Sequence, residues 1–545
     1  MIKIIFKYIG VLIFSAAIIF LMYKVMWQKK VVKKEIDNLV VFGENTNLDE
    51  KHKAFIEDDC IYVALSTFSK LVDEDISYDE VTEKVIITNY ENVAKLKVDS
   101  NVINVNLEDK EILHVAKKKD DVLFIPLSDL VWLYDITLSY NEESKTASID
   151  SKDLNTSKVK YNNSVVYNDI TTKSTALQNL NYGEDVVVYD EALNHNRWYK
   201  VKTASGNVGY IFKTSVDFVK AESTIAEKKE EEKNENKIVM AWQYGSSLSA
   251  LGASAIPGLN VVSPTVYSIS NKMGDVTGNI TSGYVDLAHR YGYKVWALIN
   301  NGFDSKNYSS QDTSDLMKSE QARENLIKNI LAIVDRDKLD GINIDFEQMK
   351  EEDRDSFTQF IRELAPLMRK KGKVLSVDLY FVRYIDRVKV GESADYVILM
   401  GYDQNGSWSE TAGSVASLSW VKENVNSLTN DSNISPSKLI LGIPFYTRLW
   451  TERPGNLNSA TYTMIQAANY ISQNRISTVY KEEDGQNYFE YTRGSVTYKM
   501  WVEDKTSVEN RINLVKENNL AGISAWRLGF ETNDTWNTIN EKINN

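Results

Sequence analysis

A chain of 545 residues is too long for one compact core and predicts about three or four domains. Its 43% hydrophobic and 26% charged residues are those of ordinary globular protein, which sets aside disordered, collagen-like and coiled-coil architectures. With 63 basic against 76 acidic residues, a net charge of −13, no broad basic surface for nucleic acid is expected. The single cysteine, Cys60, excludes an internal disulfide and a cysteine-rich zinc site. His52, His114, His195 and His289 lie far apart with no metal-ligand spacing, so a zinc or copper centre is not expected.

Residues 1–30 come first. From Tyr8 to Met26 the chain is almost wholly apolar, with Lys3 and Lys7 before it and Lys29 and Lys30 after. About 20 such residues cross a bilayer as a helix, and Lys24 can snorkel to the interface. A cleaved signal peptide competes, but its small-residue exit, Ser15-Ala16-Ala17, would fall in the middle of the apolar run. An uncleaved transmembrane anchor is the expectation. Lys24, Lys29, Lys30, Lys33 and Lys34 crowd its C-terminal flank, which by the positive-inside rule argues for a cytoplasmic body.

Residues 51–150 contain an internal repeat. Tyr62-Val63-Ala64-Leu65-Ser66 recurs as Phe124-Ile125-Pro126-Leu127-Ser128, and Ile76-Ser77-Tyr78 as Leu138-Ser139-Tyr140, both at an offset of 62. Each copy reads strand, helix, strand pair, which gives a small α+β domain. The pattern resembles the N-terminal domain of copper amine oxidases. Without clustered histidines it implies neither copper nor oxidase activity, and a spacer or binding stalk is expected.

Residues 155–219 alternate in short strands bounded by Gly and Asn, the pattern of a small all-β barrel. The run Arg197-Trp198-Tyr199-Lys200-Val201, followed by Gly206 and Val208-Gly209-Tyr210-Ile211, resembles a bacterial SH3-like domain, a module often used to hold cell-wall peptides. Trp198 and Tyr210 fit either its core or a ligand platform. Residues 220–237 hold no aromatic residue and a dense mix of charges, so they predict a solvated linker.

Residues 238–545 show eight buried-strand patterns. They begin near Ile238, Leu259, Lys294, Leu339, Lys373, Asp395, Lys438 and Leu520, and helix-length segments separate most of them. That alternation implies a parallel sheet, and eight repeats in 308 residues predict a (β/α)8 TIM barrel. The long gap before the eighth strand leaves room for an α+β insertion around Thr461–Met500.

Barrel chemistry sits at the C-terminal ends of strands. The fourth strand ends Asn343-Ile344-Asp345-Phe346-Glu347, and alternation puts Asn343, Asp345 and Glu347 on one face, aimed into the barrel mouth. A close carboxylate pair raises the proton affinity of one member, which suits an acid catalyst. A purely structural polar network has the same spacing.

Here the chain resembles glycoside hydrolase family 18. The family's Asp-x-x-Asp-x-Asp-x-Glu motif falls on Asp340, Asn343, Asp345 and Glu347. The resemblance continues through Met400-Gly401-Tyr402-Asp403, Gly442-Ile443-Pro444-Phe445-Tyr446 and Ser524-Ala525-Trp526-Arg527. It implies a substrate-assisted retaining mechanism, an exception to the two-carboxylate scheme. Glu347 would be the acid and then the base, Asp345 would hold the substrate's acetamido N–H, and Tyr402 would bond its carbonyl. Asp340, Asn343, Asp403, Trp526, Trp242 and Tyr446 complete the expected sugar site, and no cofactor is implied.

Chitinases of this family usually carry Asp where this chain has Asn343, and Tyr-Pro where it has Gln348-Met349. The form Asn-Ile-Asp-Phe-Glu, with Ala416-Ser417-Leu418-Ser419-Trp420 later, looks more like the bacterial branch that cuts spore-cortex or cell-wall peptidoglycan. The expectation is a membrane-anchored N-acetylglucosaminidase with its body on the wall side. That overrides the orientation argued from the lysines. A chitinase or endoglycosidase on other polymers and a non-hydrolytic envelope scaffold are the alternatives.

Overall fold

A computed structural model describes residues 32–189, 197–218, 237–302, 307–380 and 385–543. The expected anchor at 1–30, nearly all of the linker at 220–237, and His195 lie outside the described residues. Among the described residues, no helix is long and apolar enough to cross a membrane. The chain forms two compact units: one holds residues 1–77, 96–103 and 109–226, the other residues 78–95, 104–108 and 227–545. The expected α+β domain at 51–150 is therefore divided between them.

In the first unit the internal repeat becomes a symmetric strand pair. Cys60–Ala64 and Val122–Pro126 run antiparallel, and Val63 lies directly opposite Ile125, its counterpart in the other copy. A short helix follows each strand, Leu65–Leu71 and Leu127–Leu130. The fold also starts earlier than residue 51. Asn38–Val41 pairs in parallel with Thr146–Ser151 and buries Leu39, Val40 and Val41. That apolar run, Leu39-Val40-Val41-Phe42, is only four residues long and shows no alternation to mark it as a strand.

The following segment is all-β. Its seven strands run from Asn155 to Asp217 in one sheet around Val159, Val166, Leu180, Val186, Val188, Val201, Ile211 and Val216. Trp198 stacks on Phe212 with ring centroids 4.0 Å apart and is buried, so it serves the core.

The second unit contains the predicted barrel, with all eight strands where the apolar runs placed them. They are β1 (Ile238–Tyr244), β2 (Val261–Ile269), β3 (Lys294–Asn300), β4 (Gly341–Asp345), β5 (Val374–Leu379), β6 (Tyr396–Met400), β7 (Leu439–Pro444) and β8 (Gly522–Trp526). Each pairs in parallel with the next, and β1 pairs with β8 to close the ring. Closure needs a glycine: a Cβ on Gly522 would sit 2.0 Å from the Ile238 carbonyl oxygen. Strands buried on both faces explain the unbroken apolar runs. Amphipathic helices pack outside, among them Arg354–Lys370, which buries Phe357, Phe360, Ile361 and Leu364.

The insertion is larger than 461–500. It begins at Tyr446, one residue after β7, and ends at Val502 as a five-stranded antiparallel sheet with one helix, Met464–Gln473. A buried ion pair fastens its end. Arg511 donates to both oxygens of Glu503, at 2.7 and 2.8 Å, and to the carbonyl of Ala416 in the loop after β6. Gln486 and Ser507 also donate to Glu503.

Breaking a buried pair from one side leaves a charge without compensation and costs about 3–5 kcal/mol. Arg511→Met should therefore lower the melting temperature sharply, and Glu503→Gln in the same chain should recover part of the loss. Unchanged melting of the single variant would show that the pair does not hold the insertion.

Candidate active site

The site is built on β4. Asn343 is fully buried, Asp345 is 5% exposed, and Glu347, just past the strand end, is open to solvent. Asn301, at the end of β3, steadies this turn: its Oδ1 accepts from the Glu347 N–H at 3.2 Å and its Nδ2 donates to the Gln348 carbonyl at 2.9 Å.

Asp340 is not part of this group. It differs in parity from 343, 345 and 347 and precedes the strand, so it sits at the other end of the barrel. There it accepts from the Val295 N–H at 2.9 Å and bonds His289 and Lys294. Burial opposes its ionisation, but these donors together hold it below the usual carboxylate range. Its place in the family motif is that of a structural anchor.

Asn343 is a bridge. The Trp242 indole donates to its Oδ1 at 2.8 Å, and its Nδ2 donates to Asp378 Oδ1 at 2.8 Å. Asp378, 4% exposed on β5, is a site residue that the strand-four motif does not reveal. Its signal lies in the run Val374-Leu375-Ser376-Val377-Asp378-Leu379, where polar residues recur at period two inside an apolar strand.

Burial pushes Asp345 well above the ordinary carboxylate range, and the charges of Asp378 and Glu347 and a hydrogen bond to Glu347 push the same way. Burial also raises Asp378, while the Asn343 amide acts in the opposite direction. Asp345 Oδ1 is buried and has no hydrogen-bond partner among the described residues.

The other predicted residues surround this group. Tyr402 follows β6, and its ring meets Trp242 edge-on at 6.4 Å and Tyr446 at 6.3 Å. Burial first, then the neighbouring carboxylates and Tyr446, keeps its phenol protonated. Tyr446 donates to Asp403, which is half-buried in a left-handed conformation. Trp526, half-buried, packs against Trp242 at 5.9 Å. Trp242 itself is 1% exposed and offers no face to a ligand; its part is to orient Asn343.

One mixed donor group lies in the first unit. Cys60, His114 and Asp129 bring ligand atoms within 4.8 Å of one another, although far apart in sequence. Protein partners already engage them: His114 Nδ1 bonds Asp129 at 3.0 Å, its Nε2 bonds the Asp58 carbonyl at 3.1 Å, the Cys60 thiol donates to the Ile61 carbonyl, and burial pushes that thiol up to about 12.

A carboxyl with raised proton affinity in the fold stabilises the protein while protonated and loses that contribution as pH rises through its folded value. The penalty of Asp345 therefore begins above about pH 4, where the unfolded side chain ionises. Asp345→Asn should melt higher than the wild type by a margin that grows as pH rises above about 4. A margin independent of pH would rule out a raised Asp345.

Comparison with known proteins agrees with this geometry. Residues 264–531 match glycosyl hydrolases family 18, and residues 40–149 match the copper amine oxidase N-terminal domain. The chain is 26% identical over 293 residues to the uncharacterized glycosylase YvbX of Bacillus subtilis, covering 52% of this chain and 84% of that protein. It is 25% identical over 263 residues to the cortical fragment-lytic enzyme of Bacillus subtilis, covering 45% of this chain and 60% of that one. The match thus spans less than two thirds of that enzyme. Among solved structures, a chitinase from Chromobacterium violaceum superposes with a TM-score of 0.50 at 22% identity, covering 56% of this chain and 99% of that one, which shows the shared fold. Residues 264–531 are accordingly a glycosyl hydrolases family 18 domain, preceded by a copper amine oxidase N-terminal domain at residues 40–149.

Proposed function

We propose that the second unit hydrolyses the β-1,4 bond after N-acetylglucosamine in cell-wall or spore-cortex peptidoglycan, with retention and with help from the substrate's own acetamido group. The observation that carries this reading is the unpaired, buried Oδ1 of Asp345 beside the solvent-open carboxyl of Glu347. A buried acceptor without a partner is costly and fits an N–H that arrives with the ligand.

Glu347, at the mouth, protonates the glycosidic oxygen. As the bond to the leaving sugar breaks, the acetamido oxygen attacks the anomeric carbon, and the N–H donates to Asp345. The carboxylate opposes the positive charge of the oxazolinium formed. Glu347, now ionised, takes a proton from water, which opens the ring and restores the acid. The protonated phenol of Tyr402 donates to the acetamido oxygen, and the half-buried indole of Trp526 offers an apolar face to the pyranose C–H groups.

Peptidoglycan is favoured over chitin by the form Asn343-Ile344-Asp345-Phe346-Glu347 and by the similarity to the cortical fragment-lytic enzyme. In the same reading, residues 1–30 anchor the chain in the membrane with its body on the wall side, and residues 155–219 are an SH3-like domain.

The purified chain, incubated with peptidoglycan, should release fragments that mass spectrometry identifies by a reducing N-acetylglucosamine end. Rapid chitin cleavage with peptidoglycan left intact would reverse the choice of polymer. Glu347→Gln should keep the fold and lose about 10²–10⁴-fold in turnover. Wild-type turnover in that variant would assign the acid elsewhere.

A further inference from the structure

We propose that Asp378 is the charge that keeps the acid's proton on the Asp345–Glu347 pair, so that the second carboxylate of the site stands on β5 and not at position 343 of β4. This rests on the reading of Glu347 as the acid.

The geometry begins with Trp242. An indole has one N–H and no acceptor, so the Asn343 oxygen must turn toward it. The amide nitrogen is then committed to Asp378 Oδ1 at 2.8 Å. An aspartate at 343 would instead set two carboxylates against each other in a buried place. An asparagine at 378 would leave Asp345 as the only buried acid beside Glu347. Amide at 343 and carboxylate at 378 are therefore a matched pair across two neighbouring strands.

Burial raises the proton affinity of Asp378, and the amide N–H works against that burial by favouring the ionised form, since a charged acceptor makes the stronger bond. Asp345 and Asp378 stand side by side on neighbouring strands, each one residue beyond the paired Ile344 and Val377, and Asp345 is hydrogen-bonded to Glu347. Two ionised carboxylates side by side in a buried site are unfavourable, so one proton stays on the Asp345–Glu347 pair. That is the proton Glu347 delivers to the leaving sugar. Asp378 is thus a positioning residue that acts through Asp345. Among the described residues, the other titratable groups around the cluster are the phenols of Tyr380, Tyr402 and Tyr446, and Asp403, which Tyr446 engages. The groups acting on Asp345 and Asp378 include no cation among the described residues.

The test uses the full-length chain, soluble peptidoglycan glycan strands, and the pH profile of kcat/KM. Asp378→Asn still accepts the Asn343 N–H, so a merely structural role leaves the profile unmoved. The proposal expects the alkaline limb to move down by about one pH unit or more, which is about a tenfold loss on that limb. Asn343→Asp combined with Asp378→Asn returns the charge to β4 with an amide opposite it and should move the limb back up. A wild-type limb in Asp378→Asn, or no recovery in the double variant, overturns the proposal. Should Asp378→Asn fail to fold, the double variant decides alone: a limb at the wild-type position supports the exchange, and one shifted downward refutes it. Full turnover by Glu347→Gln would instead sink the underlying reading, and the two failures are thereby told apart.

Discussion

The amide of Asn343 is the joint on which the barrel mouth depends. It is fully buried, and both of its ends are in use, oxygen to the Trp242 indole and nitrogen to Asp378. Neither end can be exchanged, because the indole offers only a donor and the carboxylate only an acceptor. This fixed direction ties β1, β4 and β5 together below the site. It also decides which carboxyl receives a hydrogen bond from the protein and which, Asp345, keeps an oxygen unpaired.

Exposure along β4 then separates the roles. Asn343, Asp345 and Glu347 lie on one face about 7 Å apart from one to the next, and solvent reaches only the last. A group that must exchange protons with water belongs at the top. A carboxylate that must meet a developing cation works best where water is excluded, since its field is least screened there. Asp345 and Glu347 differ by two positions on one strand, and that is enough to give one acid a dry surround and the other a wet one.

The eight strands were legible because a closed parallel sheet buries both faces, so each strand is an apolar run and its alternation with helices is plain. The motif on β4 was legible because its members share one strand and recur at period two. Asp378 was not, because it joins the site across strands, and reading one segment at a time detects neighbours at i+2 but not those on the next strand. Asp340 shows the converse: a motif match placed it in the mouth, whereas its odd offset from Asn343 and its place before the strand put it at the far end, with His289 and Lys294. The family resemblance places Trp242 in the sugar site, whereas its burial leaves it only the task of orienting Asn343. The insertion's start was hidden because β7 passes into the strand Tyr446–Arg453 with Phe445 alone between, leaving no turn signal.

That abrupt passage has a consequence for the site. The Phe445 N–H donates to the Trp526 carbonyl at 2.7 Å, which ties the end of β7 to β8, and Tyr446 reaches across to Asp403 after β6. At the insertion's other end, Arg511 joins Glu503 to the Ala416 carbonyl, again in the loop after β6. Both ends of the inserted sheet are thus fastened to the segment that carries Tyr402 and Asp403. Each fastening is a buried or half-buried polar bond, costly to leave unmade, so the inserted sheet and that loop are constrained to hold one geometry. The insertion thus fixes the wall against which the carboxyls of β4 and β5 face.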